Sequence, residues 1–146
     1  MVQRVKQAEV RVGDRTTGRI GPGLLVLAGV AGDDGSEDVA WMAEKLVHLR
    51  IFEDEEGLMN RSLLETGGEM LIVSQFTLLG DCRKGRRPSW SAAAPPGRAL
   101  ELYTMLVHAV REHGVRTATG EFQAMMDVEL INSGPVTLLL DSRKNF

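Results

Sequence analysis

The chain carries a single cysteine, Cys82, among 146 residues. One thiol cannot close an internal disulfide, so the fold has to stand on its apolar core, and the composition fits a reducing compartment. Long apolar runs are missing as well. The longest, Gly23 to Ala31, falls far short of the ~20 residues that cross a bilayer as a helix. Met1 to Val10 is charged throughout and has no apolar signal core, so the expectation is a soluble, cytoplasmic protein. A basic excess is absent too: the net charge is −3, whereas a general nucleic-acid coat protein has a basic balance over the whole domain. Any contact with nucleic acid must therefore be local. The chain offers one basic patch for it, Arg83, Lys84, Arg86 and Arg87, with Arg143 and Lys144 as reinforcement.

Familiar catalytic signatures are also missing. There is no G-x-S-x-G elbow, no Walker-type loop and no dinucleotide fingerprint. Three histidines, His48, His108 and His113, fall in helical patterns. His108 and His113 are five positions apart, which puts them on different faces of a helix and makes them a poor ligand pair. They read as surface or satisfied structural histidines. Cys82 lies among arginines but has no evident base beside it, and reads as an exposed loop thiol. The acidic run Glu53 to Glu56 lacks calcium-loop spacing and reads as a solvated hairpin turn. No metal and no cofactor are expected, and no nucleophile-plus-base pair can be assembled.

What is present is enough for one domain spanning 1–146, with 43% hydrophobic and 25% charged residues. Ala8, Val10 and Val12 alternate with polar neighbours, which predicts a half-buried strand over Val2–Val12. Gly13-Asp14 is a turn signal, and Thr16 to Ile20 is the returning strand of a hairpin. Leu24 to Val30 is continuously apolar and reads as a strand buried on both faces. Ser36 is the expected N-cap of a helix whose stripe is Val39, Met42, Ala43, Leu46 and Val47. A short strand at Arg50–Phe52, the acidic turn, and an apolar strand over Glu69–Leu79 follow. Gly80 to Pro95 is a loop. Pro96 opens a second helix with the stripe Ala99, Leu102, Tyr103, Leu106, Val107 and Val110, stopped by Gly114. The end returns to strand pattern at Val115–Thr119, Ala124–Ile131 and Val136–Leu140, with Asn132-Ser133-Gly134-Pro135 as a turn between the last two. The expected fold class is α+β: a mostly β, curved-sheet or barrel-like domain with two amphipathic helices.

Three segments carry chemistry. Ser74-Gln75-Phe76-Thr77-Leu78 puts polar residues at the end of an apolar strand; this fits a strand that merely surfaces, or one that offers polar groups to a ligand. In a strand, Gln75 and Thr77 would share one face, and Ser74 and Phe76 the other. Lys84-Gly85-Arg86-Arg87-Pro88-Ser89-Trp90 fits a solvated basic loop, or one that holds phosphates and stacks on a base. Asn132-Ser133-Gly134-Pro135-Val136-Thr137 is most simply a turn.

Together, in this order and spacing, these segments resemble the D-aminoacyl-tRNA deacylase family. The resemblance runs through nearly the whole chain, including Gln3-Arg4-Val5, Gly23-Leu24-Leu25-Val26, Arg50-Ile51-Phe52 and Met59-Asn60. Trp90 stands where the family more often has Phe, Gln123 where it has a small residue, and Met125 where a polar residue is common. The resemblance implies a homodimer whose pocket for the acceptor end of aminoacyl-tRNA lies at the subunit interface, with no DNA and no membrane involved. It implies that Gln75, Phe76 and Thr77 carry catalysis and that Ser74 lines the pocket beside them. It also implies that Gly134-Pro135, in the cis form, reaches into the partner's pocket, that Arg4 fixes the Gly-Pro carbonyls, and that Phe122 and Met126 form pocket wall. Lys84, Arg86 and Arg87 are then the tRNA contacts. The implied reaction is hydrolysis of the D-aminoacyl ester, and of glycine mischarged on tRNA-Ala, assisted by the terminal ribose 2′-hydroxyl. Thr77 would be a nucleophile only with an activating base. Two rival readings are a non-catalytic module that binds RNA ends and a hydrolase of free D-amino acid esters.

Overall fold

The computed structural model describes residues 1–146. It confirms the α+β class, mostly strands, and shows how a short chain makes a nearly closed sheet. The strands are β1 (Val2–Val12), β2 (Arg15–Ile20), β3 (Gly23–Ala28), β4 (Phe52–Glu53), β5 (Met59–Arg61), β6 (Glu69–Ser74), β7 (Thr117–Thr119) and β8 (Asp127–Leu138). The helices are α1 (Ser36–His48), α2 (Leu63–Thr66) and α3 (Pro96–Glu112). No helix is long and apolar enough to cross a membrane.

β1 is the organising strand. β2 and β3 pair along its length in one antiparallel register, from Ala8↔Ile20 to Val2↔Val26. The expected hairpin of β1 and β2 is present, and β3 continues the line of β2 past a break at Gly21-Pro22. β8 pairs along the other edge of β1. β6 adds in parallel to β3, and β7 in parallel to β6. β7 in turn closes on β2: a Cβ built on Gly18 would lie 2.4 Å from the Thr119 carbonyl oxygen. Backbone approaches of that kind require glycine.

The curl gives the sheet two buried faces. Leu24, Val26, Met70 and Ile72 point to a core shared with Ala43, Leu46 and Val47 of α1 and Leu106, Val107 and Val110 of α3. The alternate residues Leu25, Leu71 and Val73 point into the curl with Val5, Ala8, Val10 and Ile20. The continuous apolar runs of β3 and β6 follow from this, since both faces of each strand are inside.

Several expectations about elements need correction. The N-cap of α1 is Gly35, not Ser36, because the Asp38 carboxylate takes over the cap by accepting from the Gly35 N–H at 2.9 Å. A third, one-turn helix, α2, was missed. Its signal was the Ser62-x-x-Glu65 capping box: Glu65 N–H donates to Ser62 Oγ at 3.2 Å, and Ser62 N–H to Glu65 Oε2 at 2.6 Å. Another concerns Asn132–Pro135, which is no turn between strands. β8 pairs with β1 on both sides of it, at Val5↔Asn132 and Gln3↔Thr137, so Ser133 to Val136 bulge out of one continuous strand.

Candidate active site

The strand expected over Glu69–Leu79 ends at Ser74, where its neighbour β3 also ends. Gln75 N–H makes the last ladder-like bond, to the Ala28 carbonyl at 2.8 Å, and Phe76–Leu79 then winds into a 3-10 turn. Gln75 and Thr77 therefore do not share a strand face. The Gln75 side-chain amide instead donates directly to the Thr77 hydroxyl. That amide cannot accept a proton as a base would, and no carboxylate or imidazole is hydrogen-bonded to Thr77. Phe76 is exposed and meets Trp90 edge-on, with ring centroids 5.8 Å apart. The first amides of such a turn have no acceptor within it, so the N–H groups of Phe76 and Thr77 stand at the sheet's rim beside an exposed aromatic.

A second assembly forms at the β8 bulge. The Gly134-Pro135 bond is cis, and Gly134 has a φ of +131°. Both residues are exposed, yet the backbone around them is braced from two sides. Asn132 Oδ1 accepts from Val136 N–H at 2.8 Å, and Asn132 Nδ2 donates to the Val136 carbonyl at 3.2 Å and to Thr137 Oγ1 at 2.9 Å. From beneath, the buried Arg4 donates from Nε to the Ser133 carbonyl at 2.9 Å and from Nη1 to the Ile51 carbonyl at 2.7 Å. The carbonyl it holds precedes the glycine, so Arg4 fixes the entry to the Gly-Pro unit rather than the Gly134 or Pro135 carbonyl. Glu53 Oε1 lies 3.7 Å from Arg4 Nη2. The bracing role of Asn132 was not read from the sequence, where Asn in Asn-Ser-Gly-Pro signals only a turn.

No hydrogen bond or ion pair within the chain joins the Arg4–Gly134 assembly to Gln75–Thr77. Phe122 packs on the helix-side core, its ring 6.1 Å from that of Tyr103. Met126 packs on the core inside the curl, with its sulfur over Gly120. Gln123 sits in a turn at a φ of +62°, and Met125 is 91% exposed. The strand expected from Ala124 starts only at Asp127 because Glu121 to Ala124 form that turn.

In the basic loop, Arg83 is tied to Asp81 through Nε at 2.9 Å and Nη2 at 2.7 Å. Those hydrogen bonds hold the Asp81 carboxyl well below the usual carboxylate range. Asp81 and Ser89 also exchange backbone hydrogen bonds, of 2.7 and 3.0 Å, across the loop base. Lys84, Arg86 and Arg87 are exposed at its tip and make no ion pair. Arg143 does not reinforce them, because its guanidinium is bound to the Asp38 carboxylate and the Asp33 carbonyl at 2.8 Å each. An apolar hollow of 320 Å³ lies between the end of β3, Leu78 and Leu79 of the 3-10 turn, Leu102 and Leu106 of α3 and the C-terminal segment, and takes in none of Ser74 to Thr77, Gly134 or Pro135.

Residues 1–141 match the family described as D-Tyr-tRNA(Tyr) deacylase. The chain belongs to that family. D-aminoacyl-tRNA deacylase of Thermosipho africanus (strain TCF52B) is 58% identical over 146 residues, 100% of this chain and 98% of the relative. The Thermus aquaticus protein of the same name is 57% identical over 142 residues, 97% of this chain and 93% of its own. Among solved structures, one described as c-Myc DNA Unwinding Element Binding Protein superposes with a TM-score of 0.90 at 37% identity, covering 96% of this chain and 95% of that one. A probable eukaryotic D-amino acid tRNA deacylase shares the fold at a TM-score of 0.78 and 23% identity, covering 92% and 93%. Family membership places the chain among hydrolases of aminoacyl-tRNA esters.

Proposed function

We propose that the protein is a cytoplasmic proofreading enzyme that hydrolyses the ester of D-aminoacyl-tRNA, acting as a homodimer in which each subunit completes the other's pocket. The observation that carries this reading is the β8 bulge. Gly134 and Pro135 form an exposed backbone wall, braced by Asn132 and Arg4, that encloses nothing on its own chain. Such a wall makes sense when it faces a second copy. Set beside the partner's Phe76–Thr77 turn, it would reject an L side chain by steric clash and leave space for a D one.

The chemistry follows from what the turn offers. The Phe76 and Thr77 amides, free at the start of the 3-10 turn, bind the oxyanion of the tetrahedral intermediate, an interaction worth about 3–4 kcal/mol in comparable sites. The Gln75 amide fixes the Thr77 hydroxyl, which orients the turn without activating it. The ribose 2′-hydroxyl next to the ester positions the attacking water, so the RNA supplies the group the protein lacks. The exposed Lys84, Arg86 and Arg87 hold phosphates of the acceptor stem. Glycine has no side chain to reject, so glycine mischarged on tRNA-Ala is cleaved as well.

The test uses D-Tyr-tRNA with a 2′-deoxy terminal adenosine and, separately, the Thr77→Ala variant. The deoxy substrate is expected to resist hydrolysis while Thr77→Ala keeps most of its activity. Normal turnover of the deoxy substrate would end RNA assistance. Total loss in a folded Thr77→Ala protein would restore Thr77 as nucleophile.

A further inference from the structure

Outside this region, three metal-ligating side chains from two helices converge on one point. Glu44 and His48 lie four residues apart on α1, so they share a helix face. His113 caps the C-terminus of α3. Packing of Leu46 and Val47 against Leu106 and Val110 brings the C-terminal ends of both helices together. There His48 Nε2 lies 3.3 Å from Glu44 Oε1, and His113 Nε2 lies 3.6 Å from Glu44 Oε2. The two imidazoles meet edge to face with centroids 6.0 Å apart, and the three donor atoms all lie within 4.8 Å of one another.

We propose that Glu44, His48 and His113 form a binding site for a zinc-class divalent transition-metal ion that clasps α1 to α3. Ligand atoms about 2.0–2.2 Å from a tetrahedral zinc stand about 3.3 Å apart. The two Glu–His separations, one to each oxygen of Glu44, are close to that value before any ion enters. The His–His separation needs only a rotation of exposed side chains. Two imidazoles and one carboxylate suit zinc, nickel and copper, and do not suit magnesium or calcium, which take oxygen sets. Two helix C-termini meeting at one place add a field that favours a cation.

The neighbouring cations do not occupy the position. Lys45 lies over the Trp41 ring at 5.4 Å, Arg111 donates to the Thr117 carbonyl at 3.1 Å, and Arg50 is held by Asn60. On binding, each histidine presents an unprotonated Nε2 and keeps its proton on Nδ1, and solvent fills the fourth position. The site is independent of the deacylase reading, and its role is to hold the two helices together.

The test is isothermal titration of the metal-free protein with zinc chloride, and with magnesium chloride as control, for wild type and for Glu44→Gln, His48→Gln, His113→Gln and His108→Gln. One zinc per chain is expected to bind wild type and His108→Gln alike. Magnesium should give no saturable heat. Each of the other three variants should weaken zinc binding by at least about 10-fold. Saturating zinc should raise the melting temperature of wild type by at least about 3 °C and that of His48→Gln by less than 1 °C. Cobalt substitution gives a readout that needs no variant: visible bands of tetrahedral intensity are expected in wild type. Absence of saturable zinc binding would overturn the proposal, as would affinity unchanged in the three variants or octahedral-type cobalt bands.

Discussion

Replacing Arg4 by Met should both destabilise the fold and loosen chiral selection. Arg4 is 8% exposed, and its guanidinium makes two bonds to backbone carbonyls, Ser133 at 2.9 Å and Ile51 at 2.7 Å. Hydrogen bonds from a charged donor contribute about 1.5–3 kcal/mol each, so the pair is worth roughly 3–6 kcal/mol before the relief of the buried charge is subtracted. Met fills much of the same volume but leaves both carbonyls without that donor, and a net loss of about 3 kcal/mol follows. With a urea m-value of about 1–3 kcal/mol/M, the unfolding midpoint should fall by roughly 1–3 M. Glu53→Gln supplies the control. Its carboxylate is 62% exposed and 3.7 Å from Arg4, and such pairs contribute about 0–1 kcal/mol. Arg4→Lys should lie near Arg4→Met, because one ammonium cannot span both carbonyls as the planar fork does. The same proteins, assayed on D- and L-tyrosyl esters of tRNA, should show discrimination falling in Arg4→Met and Arg4→Lys but not in Glu53→Gln. A midpoint within about 0.3 M of wild type, together with unchanged discrimination, would refute the reasoning.

The remaining predictions concern other elements. A Cβ at Gly23 would lie 1.8 Å from the Glu69 carbonyl oxygen, so Gly23→Ala must pry β3 from β6; a loss of at least about 4 kcal/mol, or no folded protein, is expected by urea unfolding. Gln123 sits at a φ of +62°, a region costing non-glycine residues about 1–2 kcal/mol; Gln123→Gly should therefore leave the melting temperature unchanged or raise it slightly, and a drop of several degrees would contradict this. Burial pushes the Tyr103 hydroxyl up to about 12, and the hydroxyl donates to the Ile72 carbonyl at 2.7 Å. The folded state then keeps a proton that the unfolded chain loses above about pH 10, so this contribution is complete below that pH and fades as pH rises toward 12. Urea midpoints of Tyr103→Phe should fall less steeply than wild type across that window.

Much of the fold was legible because local pattern and global role agree. Alternation in β1 and the doubly apolar runs of β3 and β6 reflect directly which faces are buried. The stripes of α1 and α3 are their core faces. What escaped the sequence was decided by partners distant in the chain. Asn132 to Pro135 has the composition of a hairpin turn, but β1 runs past both sides of it and holds β8 as one strand. β6 stops at Ser74 because β3 stops beside it, which local propensity cannot report. In sequence His113 has only His108 near it, on another helix face, whereas packing of α1 on α3 gives it Glu44 and His48.

The candidate site residues came from resemblance, and the structure shows what surrounds each of them. Nothing in the type of Asn132 announced that it braces the bulge through three bonds. Nor did spacing show which carbonyl Arg4 would hold. Arg143 looked like part of a basic patch until Asp38 was found on it.

The central claim is tested most directly by the deacylation rates of D-Tyr-tRNA and L-Tyr-tRNA, measured with purified protein and no added metal. Rapid loss of the D ester with the L ester intact is the predicted result. Hydrolysis of both esters at similar rates would contradict chiral exclusion by the Gly134-Pro135 wall. Binding of charged tRNA without cleavage of either ester would contradict the assignment of catalysis to the Phe76–Thr77 turn.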